Sequence, residues 1–130
     1  PAIAGGTSGL ATLGRMPASL EATGLHDLRL GLDPAGRLIL AWRPHRPGRT
    51  VEEGFREAVL AHDLAGLDIA YLGRAAGAPA AAPPRWQATW SGTAPPPRLV
   101  RLRLTVPDGD PRHWPDLVVA PRLARDAPPP

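Results

Sequence analysis

Residues 28–42 read Leu28-Arg29-Leu30-Gly31-Leu32-Asp33-Pro34-Ala35-Gly36-Arg37-Leu38-Ile39-Leu40-Ala41-Trp42, and the fold is decided there. Leu28, Leu30 and Leu32 alternate with Arg29 and Gly31, and Leu38, Leu40 and Trp42 alternate with Ile39 and Ala41. A period of two puts each set on one side of a strand. Between the runs, Asp33, Pro34 and Gly36 occupy the first, second and fourth places of a four-residue turn, the composition of type I. The stretch predicts a β-hairpin whose inner face is Leu and Trp.

The same reading extends in both directions. Downstream, Val100, Leu102 and Leu104 alternate with Arg101, Arg103 and Thr105, which predicts a strand over residues 98–106. Pro107-Asp108-Gly109-Asp110-Pro111 turns the chain, and a short buried strand over residues 117–120 completes a second hairpin. Residues 57–64 and 67–72 are expected as strands on either side of Ala65-Gly66, since Leu67, Ile69 and Tyr71 alternate with Asp68 and Ala70. Upstream, residues 8–14 predict a short strand, and residues 17–23 a helical turn closed by Gly24. Thr50 and Glu53 match a capping box that Gly54 interrupts. Small residues make 1–7 an entry linker, Ala, Pro and Gly make 73–85 a flexible surface loop, and 123–130 reads as a frayed tail. The fold class expected is mainly β: a small antiparallel-sheet domain spanning residues 1–130.

Composition bounds what such a domain can do. At 130 residues the chain supports one modest core. Its 43% hydrophobic content overstates that core because 22 of those residues are Ala, so burial has to come from Leu and the four Trp. All 15 basic residues are Arg, against 12 acids, and the net charge is only +3. Without Cys there is no disulfide, thiolate zinc site or thiol nucleophile. No stretch approaches the roughly 18 apolar residues of a membrane-spanning helix.

Residue patterns that carry chemistry are sparse. His26, His45, His62 and His113 have no second His three or four places away to share a metal ion. Ser8, Ser19 and Ser91 lie outside any nucleophile elbow, because Gly6-Thr7-Ser8-Gly9-Leu10 ends in Leu. Asp108 and Asp110 read as turn residues, since Pro111 and the lack of a following Glu break a calcium-loop pattern. Arg101 and Arg103, with Arg98 and Arg29 as possible neighbours, can bind phosphate or form the solvated side of a sheet. Trp42, Trp86, Trp90 and Trp114 are expected as core residues, with Trp86 and Trp90 as an alternative sugar platform. Neither an enzyme nor a cofactor is expected.

The order of features resembles the soluble domain of minor pseudopilin J of the bacterial type II secretion system. The likeness runs through Arg15-Met16-Pro17-Ala18, Gly24-Leu25, the first hairpin, and Leu67-Asp68-Ile69-Ala70-Tyr71-Leu72-Gly73. It continues in Trp86, Trp90, Leu99-Val100-Arg101-Leu102 and Trp114-Pro115-Asp116-Leu117-Val118-Val119-Ala120-Pro121-Arg122, covering residues 8–122. The resemblance implies a pseudopilin-like domain, α+β once the family's N-terminal helix is counted, with Pro1 just after that helix. It implies a structural subunit in a pseudopilus tip complex with minor pseudopilins I and K, which helps drive folded proteins through the outer-membrane secretin. The domain would then be periplasmic, anchored in the inner membrane by the helix, with no cofactor and no small-molecule substrate. Leu10, Leu13 and Met16, near where the helix would emerge, are the expected partner interface. Two rivals are a minor type IV pilin or DNA-uptake subunit that binds nucleic acid through Arg, and a periplasmic carbohydrate-binding module.

Overall fold

The computed structural model describes residues 3–15, 24–48, 53–75 and 77–121, and among them every regular element is a strand. β1 (Ile3–Gly5), β2 (Gly9–Arg15), β3 (Leu25–Leu32), β4 (Leu38–Pro44) and β5 (Arg56–Ala61) lie in chain order in the first sheet. β6 (Gly66–Gly73), β7 (Arg85–Gln87), β8 (Leu99–Thr105) and β9 (Leu117–Val119) form the second sheet in the order β7-β6-β8-β9. All pairings within both sheets are antiparallel, as a run of short strands joined by turns favours.

The first hairpin forms as its alternation predicts, with Leu28 opposite Trp42, Leu30 opposite Leu40 and Leu32 opposite Leu38. Its turn is held by the Asp33 carboxylate, which accepts the backbone N–H groups of Ala35 at 3.0 Å and Arg37 at 2.8 Å. Gly36 is required there twice over. Its φ is +80°, and a Cβ would stand 2.7 Å from the carbonyl oxygen of Leu64, whose own N–H donates to the Gly36 carbonyl at 2.9 Å. The hairpin tip is thereby pinned to the corner between β5 and β6. Arg112 pins the same corner from the β8–β9 connection, donating to the carbonyls of His62 at 2.6 Å and Asp63 at 2.7 Å.

Two clusters fill the space between the sheets. Ile3, Ile69, Tyr71, Trp90 and Val100 form one, with Leu10 and Leu102 packed against it. Leu38, Ala61 and Leu64 form the other, beside Leu30, Leu32 and Leu104. Leu67 touches both. Ile69 and Tyr71 of β6 are fully buried because β6 is the strand that meets β2 and β3 of the facing sheet.

Several expectations are corrected. The linker expected over residues 1–7 contains β1, which pairs with β2, and Ile3 is buried. Gly5 belongs to this strand because its missing side chain allows close approach: the Tyr71 hydroxyl occupies the place a Gly5 side chain would take. The loop expected over residues 73–85 gives Gly73 to β6 and Arg85 to β7, and turns closed by Ala78 onto Ala75 and Ala82 onto Pro79 shape what lies between. Trp42 and Trp90 are buried as expected, and Leu102 and Leu104 are half-buried. Trp86 and Trp114, expected in the core, are 42% and 40% exposed. The strand expected to be buried near the C-terminus is exposed throughout, with Leu117 at 57%, Val118 at 49% and Val119 at 44%. Leu117 and Val119 are in register with the core-facing Leu102 and Val100, but β9 lies two strands from β6, beyond where the first sheet packs. The helical turn over residues 17–23 and the tail over 123–130 lie outside the described residues, as does most of the capping-box segment.

The two environments separate in stability. Ile69→Ala is expected to lower the unfolding free energy by about 2–5 kcal/mol, as truncation of a fully buried Ile does. Trp114→Ala is expected to cost less, about 1–2 kcal/mol, because the residue keeps 40% of its surface in water. Urea denaturation of the two variants checks both values.

Candidate partner-binding surfaces

The groups able to do acid–base or metal chemistry are dispersed. Among the described residues no three His, Asp or Glu side chains converge to hold a metal ion. His26 is buried with Nδ1 3.0 Å from the carbonyl of Gly24, while His62 and His113 are exposed. Ser91 closes a local turn, with its hydroxyl 2.8 Å from that of Thr93. Asp110 binds Arg112 through its carboxylate at 2.8 Å, so the Asp108–Asp110 turn works as an anchor for that arginine. What remains is surface, of three kinds.

The first is the outer face of the five-stranded sheet. Its register places Ala4, Ala11, Arg29 and Ala41 in one row and Gly9, Gly31, Ile39 and Val59 in the next. Small side chains in adjacent rows leave a shallow cavity of about 530 Å³. At one end of this face stands a polar cluster. Asp27, opposite Arg43 in the register, accepts Arg43 Nε at 2.9 Å through one oxygen and lies 2.7 Å from His45 Nδ1 through the other. Arg43 is buried, and it also donates to the carbonyl of Glu53 at 2.9 Å. The Phe55 ring is flanked by the guanidinium groups of Arg43 at 4.3 Å and Arg29 at 4.6 Å.

The second kind is the pair of sheet edges. On β5, Val59 and Leu60 are exposed, and the pairing with β4 shifts between Leu38 and Ile39, which skips Leu60. On the opposite sheet, β9 presents Leu117, Val118 and Val119, with Trp114 ahead of them. The third is the outward side of β8, where Arg101 lies 4.9 Å over the exposed Trp86 ring. Arg103 beside it is held by Asp116, at 3.0 and 3.2 Å to Nε and 2.7 Å to Nη2.

The residues expected to form the partner interface do not share one patch. Leu10 is half-buried against the core cluster of Ile3, Ile69 and Tyr71. Leu13, three positions on, lies in the row of Asp27 and Arg43 on the outer face. A strand turns residues three apart to opposite sides, which separates the pair. Met16 lies outside the described residues. Arg29 belongs to the first sheet and stands by Phe55, away from Arg101 and Arg103. Trp86 and Trp90 form no joint platform: Trp90 is buried, stacked near Tyr71 with ring centres 6.4 Å apart, and its indole N–H donates to the Pro95 carbonyl at 3.0 Å.

The Asp27 cluster has a signal in the sequence. The turn is closed by Asp33 and Arg37, and Asp27 and Arg43 each stand six residues outside that closing pair; His45 follows two residues later on the same strand line. Burial pushes the Asp27 carboxyl up, but the hydrogen bonds and charges of Arg43 and His45 outweigh that and hold it below its ordinary 3.8. A carboxylate held below its unfolded value adds stability at pH above that value and loses it as the pH falls toward the folded one. Asp27→Asn is therefore expected to cost about 1–3 kcal/mol at neutral pH. The gap between parent and variant should close as the pH falls below about 4, measured by denaturant unfolding at successive pH values. With this geometry in place, comparison with known proteins adds no identification: no protein-family model, no curated protein and no solved structure matches the chain.

Proposed function

We propose that this chain is the periplasmic domain of a J-like minor pseudopilin, a structural subunit of the tip complex of a type II secretion pseudopilus. In this reading an inner-membrane helix ahead of Pro1 anchors it, and its partners are the I-like and K-like subunits. The reading starts from the order of sequence features over residues 8–122.

The observation that carries it is where the large apolar side chains are exposed. Val59 and Leu60 lie on one edge strand, β5, and Leu117, Val118 and Val119 on another, β9. A chain this short of large apolar residues has few to leave in water, and an apolar edge strand is a template for another chain. Monomeric domains protect such edges with charge. β9 carries none, being Leu117, Val118 and Val119 alone. A subunit held between neighbours in an assembly has these edges covered by its partners, which supports a recognition role for them.

The test is assembly. The chain mixed with the soluble domains of the I-like and K-like subunits is expected to give a ternary complex in native mass spectrometry and size-exclusion chromatography. Val118→Lys and Leu60→Lys change exposed positions, so both variants should keep the parent's urea midpoint while at least one weakens association by about tenfold or more. Absence of any complex at about 50 µM of each folded domain would refute the assignment.

A further inference from the structure

The positive charge of this chain is segregated. Between Asp68 and Asp108 there is no acidic residue, yet this span holds Arg74, Arg85, Arg98, Arg101 and Arg103; the ten Arg elsewhere are outnumbered by all 12 acids. That span carries a charge of +5, and the rest of the chain, with 10 Arg against 12 acids, carries −2.

The fold concentrates that charge further. Arg85 lies opposite Gly73 in the β6–β7 register, and on the other side of β6 the backbone N–H of Arg98 donates to the carbonyl of Leu72 at 2.7 Å. Arg85 and Arg98 thus flank Gly73, and Arg74 follows it directly. Arg74 is fixed by its Nε, which donates to the carbonyl of Ala82 at 2.8 Å and leaves its terminal nitrogens available. Two cavities of about 380 and 350 Å³ border this end, sharing Gly73, Arg74, Ala75 and Ala78. One adds Arg98 and the other Arg85 and Trp86, and among the described residues no carboxylate lines either. Arg37, Arg43, Arg103 and Arg112 each bind an Asp side chain. Among the described residues Arg74, Arg85, Arg98 and Arg101 pair with none, and Arg101 Nε is buried without a hydrogen bond.

We infer that the β6–β7 end of the second sheet docks an acidic polypeptide segment, with Asp or Glu carboxylates received by Arg74, Arg85 and Arg98 beside Trp86. Guanidinium groups take carboxylates in a two-pronged geometry, and Arg and Trp are the side chains enriched in protein interfaces. Charge and shape favour a polypeptide over nucleic acid. A nucleic-acid backbone needs a basic track to follow, and here the track stops: Arg103, next along the face from Arg101, is occupied by Asp116 and faces Asp68 across the strands. Arg74, Arg85 and Arg98 instead surround one loop, at the end of β6 and the start of β7. The inference goes beyond the secretion-system reading, does not depend on it, and is tested with neither tip subunit.

The probe is a fluorescent poly-L-glutamate of about 20 residues, titrated with the full 130-residue chain and followed by anisotropy, beside a dT oligonucleotide of equal length. Saturable binding of poly-glutamate that weakens as salt is added is expected. Arg85→Gln/Arg98→Gln should weaken it by about tenfold or more, Arg74→Gln by less in the same direction, and Arg37→Gln, at the distant hairpin turn, should leave it unchanged. Matching melting temperatures keep the comparison among folded proteins, since Arg85 and Arg98 are exposed. No saturable binding, an equal loss in Arg37→Gln, or tighter binding of the oligonucleotide would each overturn the inference.

Discussion

The hydroxyl of Tyr71 donates to the carbonyl of Gly6 at 3.0 Å, and the two sheets are joined around that bond. Tyr71 comes from the middle of β6, and Gly6 lies just past β1. On the same seam the Ile69 N–H donates to the Thr7 carbonyl at 2.8 Å, and Gly5 and Trp90 exchange backbone hydrogen bonds at 3.0 and 3.1 Å. A buried aromatic with a polar tip needs a partner for that tip, and a backbone carbonyl supplies it only where the backbone comes close. Gly5 permits the approach, because the hydroxyl fills the space a side chain would need. Burial also pushes the Tyr71 phenol up to about 12, so it remains a donor across the physiological range.

A chain with one Tyr and one Phe has little else from which to build a large core. Its buried apolar side chains gather where β6 meets β2 and β3, and that seam takes Ile3, Leu10, Ile69, Tyr71, Trp90 and Val100. Strands farther from the seam gain less cover. β5 and β9 are the outermost strands of their sheets, and both keep apolar side chains in contact with water. The thin core and the apolar edges therefore have one cause, since the sheets overlap over only part of their width.

Charge is divided in a complementary way. On the first sheet and the connecting corners, three arginines are matched to carboxylates: Arg43 to Asp27, Arg37 to Asp33 and Arg112 to Asp110. These pairs hold turns and strand ends in place, and the matched Asp33, Asp110 and Asp27 carboxyls all lie below their ordinary values. On the β6–β7 end the arginines have no such partners among the described residues. Apolar edges and a basic end without paired carboxylates are both surfaces that other molecules can cover.

Strand existence, the two hairpins and the mainly β class were legible in the sequence, because alternation and turn chemistry are local: Leu28 to Trp42 carries its own period, its own turn and its own register. The resemblance and the charge gap between Asp68 and Asp108 are likewise properties of order along the chain. Burial was legible only in part, for Trp42 and Trp90. Leu117 and Val119 alternate toward the core as Val100 and Leu102 do, and Trp114 is as apolar as Trp42, yet each is exposed because nothing in the sequence states how far one sheet extends over the other. Leu10 and Leu13 read as one patch until the pleat set them on opposite faces. Gly5 and Gly6 read as a linker until Tyr71, 65 residues from Gly6, reached the backbone. Local pattern determines which segments become strands, whereas facing, overlap and long-range closure depend on contacts between residues far apart in the chain, and those exist only once the sheets have packed.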